Sequence, residues 1–439
     1  MKKYILLFSL VSFVAVIYLS YPFGSEEGYV SIKENKFHLN GKMFYPIAIN
    51  YITSTQVDKN NLWISPYWGY TPDSKPPCTT KDSSLLQLKA DMELIKEMGF
   101  NTVRIVGAGE ESINEKTGAL SVYAKMGNKK DTSISLSSDE SYEKYLNALD
   151  VLFDAANHAG LKVIFLIKLA PGLEATENHL RRVVARFKDD TCIMAYDFFN
   201  EPLYFDLLER NKMDVFPIVR RWSKIIKLYA PHQLSTIGLS SIREIFEWDP
   251  NMLHVDFISF HPYEVEPEQV RNELYWYGHY LKKPWIIGET GIPADNDSIS
   301  YEDQKKWAHK TLKQAYDCGA SGYSWWQYKD VEWHQYHANY LGVVTRKGET
   351  KSAKTNMIVQ GTPKPVAKEF KLFDPNGKKD SCLCLSNYYN YSQHKSFRII
   401  GYLKDMNNIP IQGGIFPVSY THLRAHETKA NLVCRLLLE

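Results

Sequence analysis

The chain lacks an excess charge of either sign: 52 Lys and Arg face 50 Asp and Glu, a formal +2 over 439 residues. That balance argues against a dedicated polyanion binder, which needs a basic surface to neutralise phosphates. Cysteine is scarce. None of the six sits at a metal-binding spacing: Cys382-Leu383-Cys384 is too tight for the usual zinc pair, and no His follows at ligand distance. Cys192 and Cys318 fall in apolar segments and read as buried thiols, and no disulfide framework can be inferred. No Gly-rich phosphate loop follows the first strand, so nothing calls for a nucleotide. No metal and no cofactor are expected.

What is present is an ordinary globular composition, 44% hydrophobic and 23% charged, with an unusual 13% of aromatics that includes 10 Trp and 29 Tyr. Aromatics bury large areas, so packing accounts for many of them; the alternative is a set of sugar-stacking platforms. Met1 to Tyr21 opens with Lys2 and Lys3 and then runs uncharged through Tyr4-Ile5-Leu6-Leu7-Phe8 to Leu19. This is an export pattern, either a cleaved signal peptide or a retained N-terminal anchor over 1–24, and a secreted, periplasmic or cell-surface location is expected, with possible membrane attachment.

Beyond it, short apolar strands alternate with amphipathic helices. Phe37 to Tyr45 reads as a hairpin turning at Asn40-Gly41, and Ile47 to Asn50 as a strand. A long aromatic, Pro-rich loop is expected over Tyr51–Thr80. Strands follow at 102–106, 163–167, 192–199, 234–238, 257–260, 285–287 and 322–326, separated by helical faces such as Leu88, Met92 and Ile95. A short helix is expected near Ile242–Phe246 and a closing one at Val366–Phe370. Continuously apolar strands alternating with helices imply a parallel sheet covered by helices, and about eight units favour a closed (β/α)₈ TIM barrel of the α/β class over 30–372.

The character changes after about Asp374. Lys378 to Ser381 reads as a linker, and 380–417 as the start of a truncated β-sandwich module. The last stretch, 418–439, contains VSYTHLRAHET and LVCRLLLE and resembles translated sequencing-adapter read-through, so it is expected to be non-native.

Two strands end in a carboxylate. Cys192 to Phe199 leads into Asn200-Glu201-Pro202, where the proline cannot continue a ladder and the Glu must open into a loop. Trp285 to Ile287 leads into Gly288-Glu289. The C-terminal strand edge is the active face of such a barrel. On it stand Arg104, Asn200, Glu201, His261, Tyr263, Glu289, Trp325 and Trp326, a polar ring with two carboxylates and an aromatic floor. Paired carboxylates suit glycosidic-bond cleavage, one as a protonated acid and the other ionised.

The motifs Leu39-Asn40-Gly41-Lys42, Asn101-Thr102-Val103-Arg104, Asn200-Glu201-Pro202, His261-Pro262-Tyr263, Gly288-Glu289 and Trp326-Gln327, in this order, resemble a retaining (β/α)₈ glycoside hydrolase, most like family 5, the cellulase and β-mannanase group. The resemblance implies that Glu201 is the acid/base and Glu289 the nucleophile. It implies Asn200 beside the sugar 2-hydroxyl, Arg104 and Tyr263 holding Glu289, His261 tuning Glu201, and Trp326, or else Trp325, flooring the subsite. The family usually carries a His at the end of the third strand; here that end reads Ile167-Lys168-Leu169. The expected function is endo-acting hydrolysis of a β-1,4-linked mannan or glucan, so the expected partner is a β-linked polysaccharide or oligosaccharide. An exo-acting β-glycosidase and an inactive carbohydrate-binding barrel are the alternatives. Trp63, Trp68, Trp333, His334 and Tyr336 either line further subsites or pack within loops.

Overall fold

A computed structural model describes residues 27–58, 61–67, 78, 80–108, 111–113, 120–125, 132–136, 138–169, 174–202, 212–240, 248–332 and 336–383. The chain divides into two compact units, Met1–Cys382 and Leu383–Glu439. The expected leader, the short helix near Ile242 and nearly all of the expected β-module lie outside the described residues. No helix among the described residues is long and apolar enough to cross a membrane.

Three strands, β1 (Val30–Lys33), β2 (Lys36–Leu39) and β3 (Lys42–Met43), form a small antiparallel sheet. Its second turn is Asn40-Gly41 with φ of 51° and 76°, the paired positive values a type I′ hairpin needs. The next two strands are β4 (Ile47–Asp58) and β5 (Asn61–Pro66), followed by helix α1 (Lys81–Glu97). Helix α1 starts on a capping box in which Thr80 and Ser83 satisfy each other's backbone N–H. It closes on Gly99 at φ 97°, where a Cβ would strike the Lys371 backbone at 2.4 Å.

After β6 (Thr102–Val106) come three short strands, β7 (Glu111–Ile113), β8 (Leu120–Lys125) and β9 (Thr132–Ser135), then α2 (Asp139–His158). The pattern becomes regular with β10 (Lys162–Leu166), α3 (Glu174–Arg186), β11 (Ile193–Asn200), α4 (Lys212–Tyr229), β12 (Leu234–Leu239), β13 (Ile258–Phe260), α5 (Pro267–Tyr280), β14 (Trp285–Ile287), α6 (Tyr301–Asp317) and β15 (Gly322–Trp325). The remaining elements are α7 (Tyr336–Asn339), the β16 (Glu349–Lys351) and β17 (Ile358–Gln360) ribbon, and α8 (Ala367–Leu372).

Strands β4, β6, β10, β11, β12, β13, β14 and β15 pair in parallel in that order, and β15 pairs back onto β4 through Tyr323↔Ile47, Ser324↔Ala48 and Trp325↔Ile49. The sheet is therefore closed, a (β/α)₈ barrel as the sequence implies. Its strands are buried on both faces. The outward face packs against the helices. The inward face at the N-terminal end, including Ile164, Met194, Leu234, Phe257 and Ile286, is closed by Val30 and Phe37 of the β1–β3 sheet. Phe37 meets Phe257 edge-on, with ring centroids 5.1 Å apart.

Two expectations are corrected here. Tyr51–Pro66 is no loop: β4 runs past the barrel to Asp58 and returns as β5 from Asn61, and β8, β7 and β9 extend this accessory sheet. The β-branched residues Ile52, Thr53, Thr55 and Val57 favour the pleat over an irregular path. Cys318 is no thiol: it forms a disulfide with Cys382, 64 residues away. Cys192 is a buried free thiol, as expected.

Candidate active site

The ring assembles at the C-terminal ends of the barrel strands. Asn50 on β4 and Arg104 on β6 are register partners on adjacent strands. Arg104 is 1% exposed, and each of its three nitrogens has a partner. Nε donates to Asp197 Oδ2 at 2.9 Å and Nη2 to Asn200 Oδ1 at 2.7 Å, with Nη2 also 2.8 Å from Asp197 Oδ2. Nη1 donates to Asn50 Oδ1 at 2.8 Å and to Glu289 Oε1 at 2.5 Å. Burial works against the guanidinium charge, but Asp197 and then Glu289 outweigh it and hold the cation.

Glu289 follows β14 and is buried. Its second oxygen, Oε2, accepts the Tyr263 hydroxyl at 2.8 Å. Tyr263 keeps 40% exposure through its ring, while burial of its hydroxyl, then the charge on Glu289, hold the phenol proton far above its usual range. Asn50 ties the backbone just before this carboxylate to the end of β15. Its amide N–H groups lie within 3.0 Å of Gly288 O, Ser324 Oγ and Trp325 O.

Glu201 leaves the ladder in a left-handed conformation, φ 50°, with its N–H bonded to Gly238 O at 2.9 Å. A non-Gly residue there stores about 1–3 kcal/mol of strain, a frequent feature of functional loops. Burial raises its carboxyl to about 7, against the opposing pull of Arg104. Oε1 lies 2.9 Å from His261 Nδ1. Burial, with Arg104 adding to it and Glu289 and Asp197 opposing, lowers His261 to about 4, so near pH 7 the imidazole is neutral and the contact is a hydrogen bond.

The imidazole fits because its neighbours lack side chains. A Cβ on Gly238 would sit 2.6 Å from His261 Cε1, and one on Gly288 would sit 1.7 Å from Ser259 Oγ and 2.9 Å from His261 Nε2. Both glycines are required by close approach.

One donor atom each of Glu201, His261 and Glu289 lies within 4.8 Å of the others. Three metal-capable side chains meet here, but each carboxylate already has a protein partner: His261 on Glu201, and Arg104 and Tyr263 on Glu289.

The two tryptophans separate. Trp325 is 0% exposed, packed edge-on against Trp307 and Phe370, with its indole N–H on Leu341 O at 2.8 Å. It presents no face to a substrate, which corrects its place among the candidate binding residues. Trp326, next in the chain, is half-buried, and the Trp326–Gln327 peptide is cis. Lys168, where the family usually has His, is half-buried at φ 47°. Trp63 belongs to the packing: it is buried, with its indole bonded to Ser84 Oγ. Trp68, Trp333, His334 and the Tyr336 side chain lie outside the described residues.

Two residues of the ring escaped sequence reasoning. Asp197 is a lone charge inside the otherwise apolar Cys192–Phe199 run, a legible anomaly. Asn50 is the polar end of Ile47-Ala48-Ile49-Asn50, a weaker signal of the same kind.

Residues 73–329 match the family model of the cellulases, glycosyl hydrolase family 5. No curated protein matches the sequence. Among solved structures, a family 5 mannosidase from Rhizomucor miehei is 15% identical, with 79% of this chain and 97% of that chain covered at a TM-score of 0.51. An exo-β-1,4-mannosidase from Opitutaceae bacterium strain TAV5 is 16% identical, covering 78% and 61% at a TM-score of 0.51. The chain spans about a third of the length of a Bacteroides uniformis β-glucuronidase 2, which is 16% identical (73% and 34% covered, TM-score 0.46). At such identities the likeness is one of fold. The family match covers more than half of the chain, and this protein belongs to glycoside hydrolase family 5.

Proposed function

We propose that the protein is a retaining β-glycoside hydrolase that cleaves internal bonds of a β-1,4-linked mannan or glucan, with Glu289 as nucleophile and Glu201 as acid/base. The observation that carries the reading is the pairing of two unlike carboxyls with oxygens no more than 4.8 Å apart, one raised to about 7 and one held by Arg104 and Tyr263. Retaining enzymes place the two groups about 5–5.5 Å apart, and inverting enzymes leave about 6.5–9.5 Å for a water.

Glu289 attacks the anomeric carbon as Glu201 passes its proton to the departing glycosidic oxygen. The glycosyl-enzyme ester removes the negative charge on Glu289, and Glu201, now ionised, accepts the hydrogen bond of His261 Nδ1–H. It then takes a proton from water, whose oxygen attacks the same carbon and releases Glu289. Asn200, aligned by Arg104, lies beside the sugar 2-hydroxyl, and Trp326 floors the subsite. Export is supported by the Lys2-Lys3 leader and by the Cys318–Cys382 disulfide, a bond of oxidising compartments.

The test is Glu289→Ala assayed with and without azide, alongside NMR of the first-formed product. Loss of turnover, recovery as a glycosyl azide and a product of retained configuration are expected; an inverted product sinks the double displacement. A product profile on mannan, glucomannan, cellulose and xylan checks the rest: a ladder of oligosaccharides is expected, and release of a single terminal sugar rejects internal cleavage.

A further inference from the structure

The Arg104 guanidinium lies between two carboxylates, and Glu289 has the smaller share of it. Asp197, fully buried on β11, takes Nε and Nη2 on one oxygen, Oδ2, while Glu289 takes only Nη1. The other Asp197 oxygen, Oδ1, is buried with no hydrogen-bond partner among the described residues. Packing alone gives no reason for an acid there: an apolar side chain fits such a site without leaving a buried oxygen unpaired.

We infer that Asp197 is a positioning residue that sets how much of Arg104's positive charge reaches the two catalytic carboxyls. With Asp197 ionised, the Arg104–Asp197 pair is locally neutral, and Glu289 meets a directed hydrogen bond rather than a full cation. Glu289 thereby stays a competent nucleophile. Neutralising Asp197 leaves an uncompensated cation in contact with Glu289 and near Glu201. The other groups facing this cluster do not replace Asp197. They are His261, buried and neutral; Tyr263, a phenol; Asn50 and Asn200, uncharged; and Ser324 on β15.

The inference rests on the roles proposed above for Glu201 and Glu289, and its test separates the two. On that reading the basic limb of the wild-type kcat/KM profile is set by loss of the Glu201 proton. In Asp197→Asn, that limb moves to lower pH by about one unit, because an unopposed cation favours the charged form of the carboxyl. Asn50→Asp adds a carboxylate on the opposite side of Arg104, and the limb moves to higher pH.

A structural role for Asp197 predicts lower activity or a lower Tm with the basic limb unmoved, and that result overturns the inference. If Asp197→Asn does not fold, the upward shift in Asn50→Asp decides: its absence overturns the inference equally. Turnover that survives without azide in Glu289→Ala would instead refute the assignment of Glu289, and the inference with it.

Discussion

The two ends of the barrel are made from the same eight strands and are built on opposite principles. At the N-terminal end, apolar side chains fill the interior and Phe37 and Val30 close it from below. At the C-terminal end, polar and charged groups converge, and Asp197 keeps a buried oxygen unpaired among the described residues. One end supplies burial energy; the other spends some of it on chemistry. The parallel sheet allows this division, because each strand enters through one rim and leaves through the other.

The comparison breaks most sharply at the carboxylates. Glu201→Gln should lower kcat/KM by about 10²–10⁴-fold, the usual span for a lost general acid, while its Tm stays at or above that of the wild type. The sign follows from its proton. The folded state holds it to about 7 rather than the ordinary 4.5, so Glu201 contributes stability below pH 4.5 that is lost as pH rises through 7. The amide escapes that loss, and thermal melts at pH 4.5 and pH 8 should show the variant gaining on the wild type. A variant destabilised equally at both pH values would contradict this account of Glu201.

Phe37→Ala probes the other end. Opening the floor should cost about 3–5 kcal/mol in denaturant unfolding, with the kcat of the folded fraction unchanged. A changed kcat would show that the two ends are not independent. Reducing the Cys318–Cys382 disulfide should cost about 2–4 kcal/mol, given a 64-residue separation, read as a lower Tm in dithiothreitol with the pH profile preserved. The smallest effect is titration. Above about pH 7 the acid is increasingly ionised, and kcat/KM should fall about tenfold per pH unit. A flat profile to pH 9 would show that the raised carboxyl is not the working acid.

The division also explains what could be read in advance. Strand and helix periods are local, so the barrel was legible, and strand-end carboxylates announce themselves by position. Adjacent residues on a strand point to opposite faces, so only one of Trp325 and Trp326 was able to face the site, and periodicity alone did not say which. The disulfide joins residues 64 apart, with nothing local to Cys318 marking its partner. The β4–β5 hairpin was masked by aromatic and Pro density. Asp197 was passed over because it lies within an apolar run, where its charge was in fact the signal. Its role depends on Arg104, which lies two strands away across β10.

The closure of β15 onto β4 has a practical side. The family match begins at residue 73, after the first barrel strand has already passed. A polypeptide trimmed to that match would lose β4 and the β1–β3 floor together. The outer edges of β6 and β15 would then stand open, each a row of unpaired N–H and C=O groups able to template another chain. Such a fragment should aggregate, and a soluble catalytic domain has to begin no later than Val30.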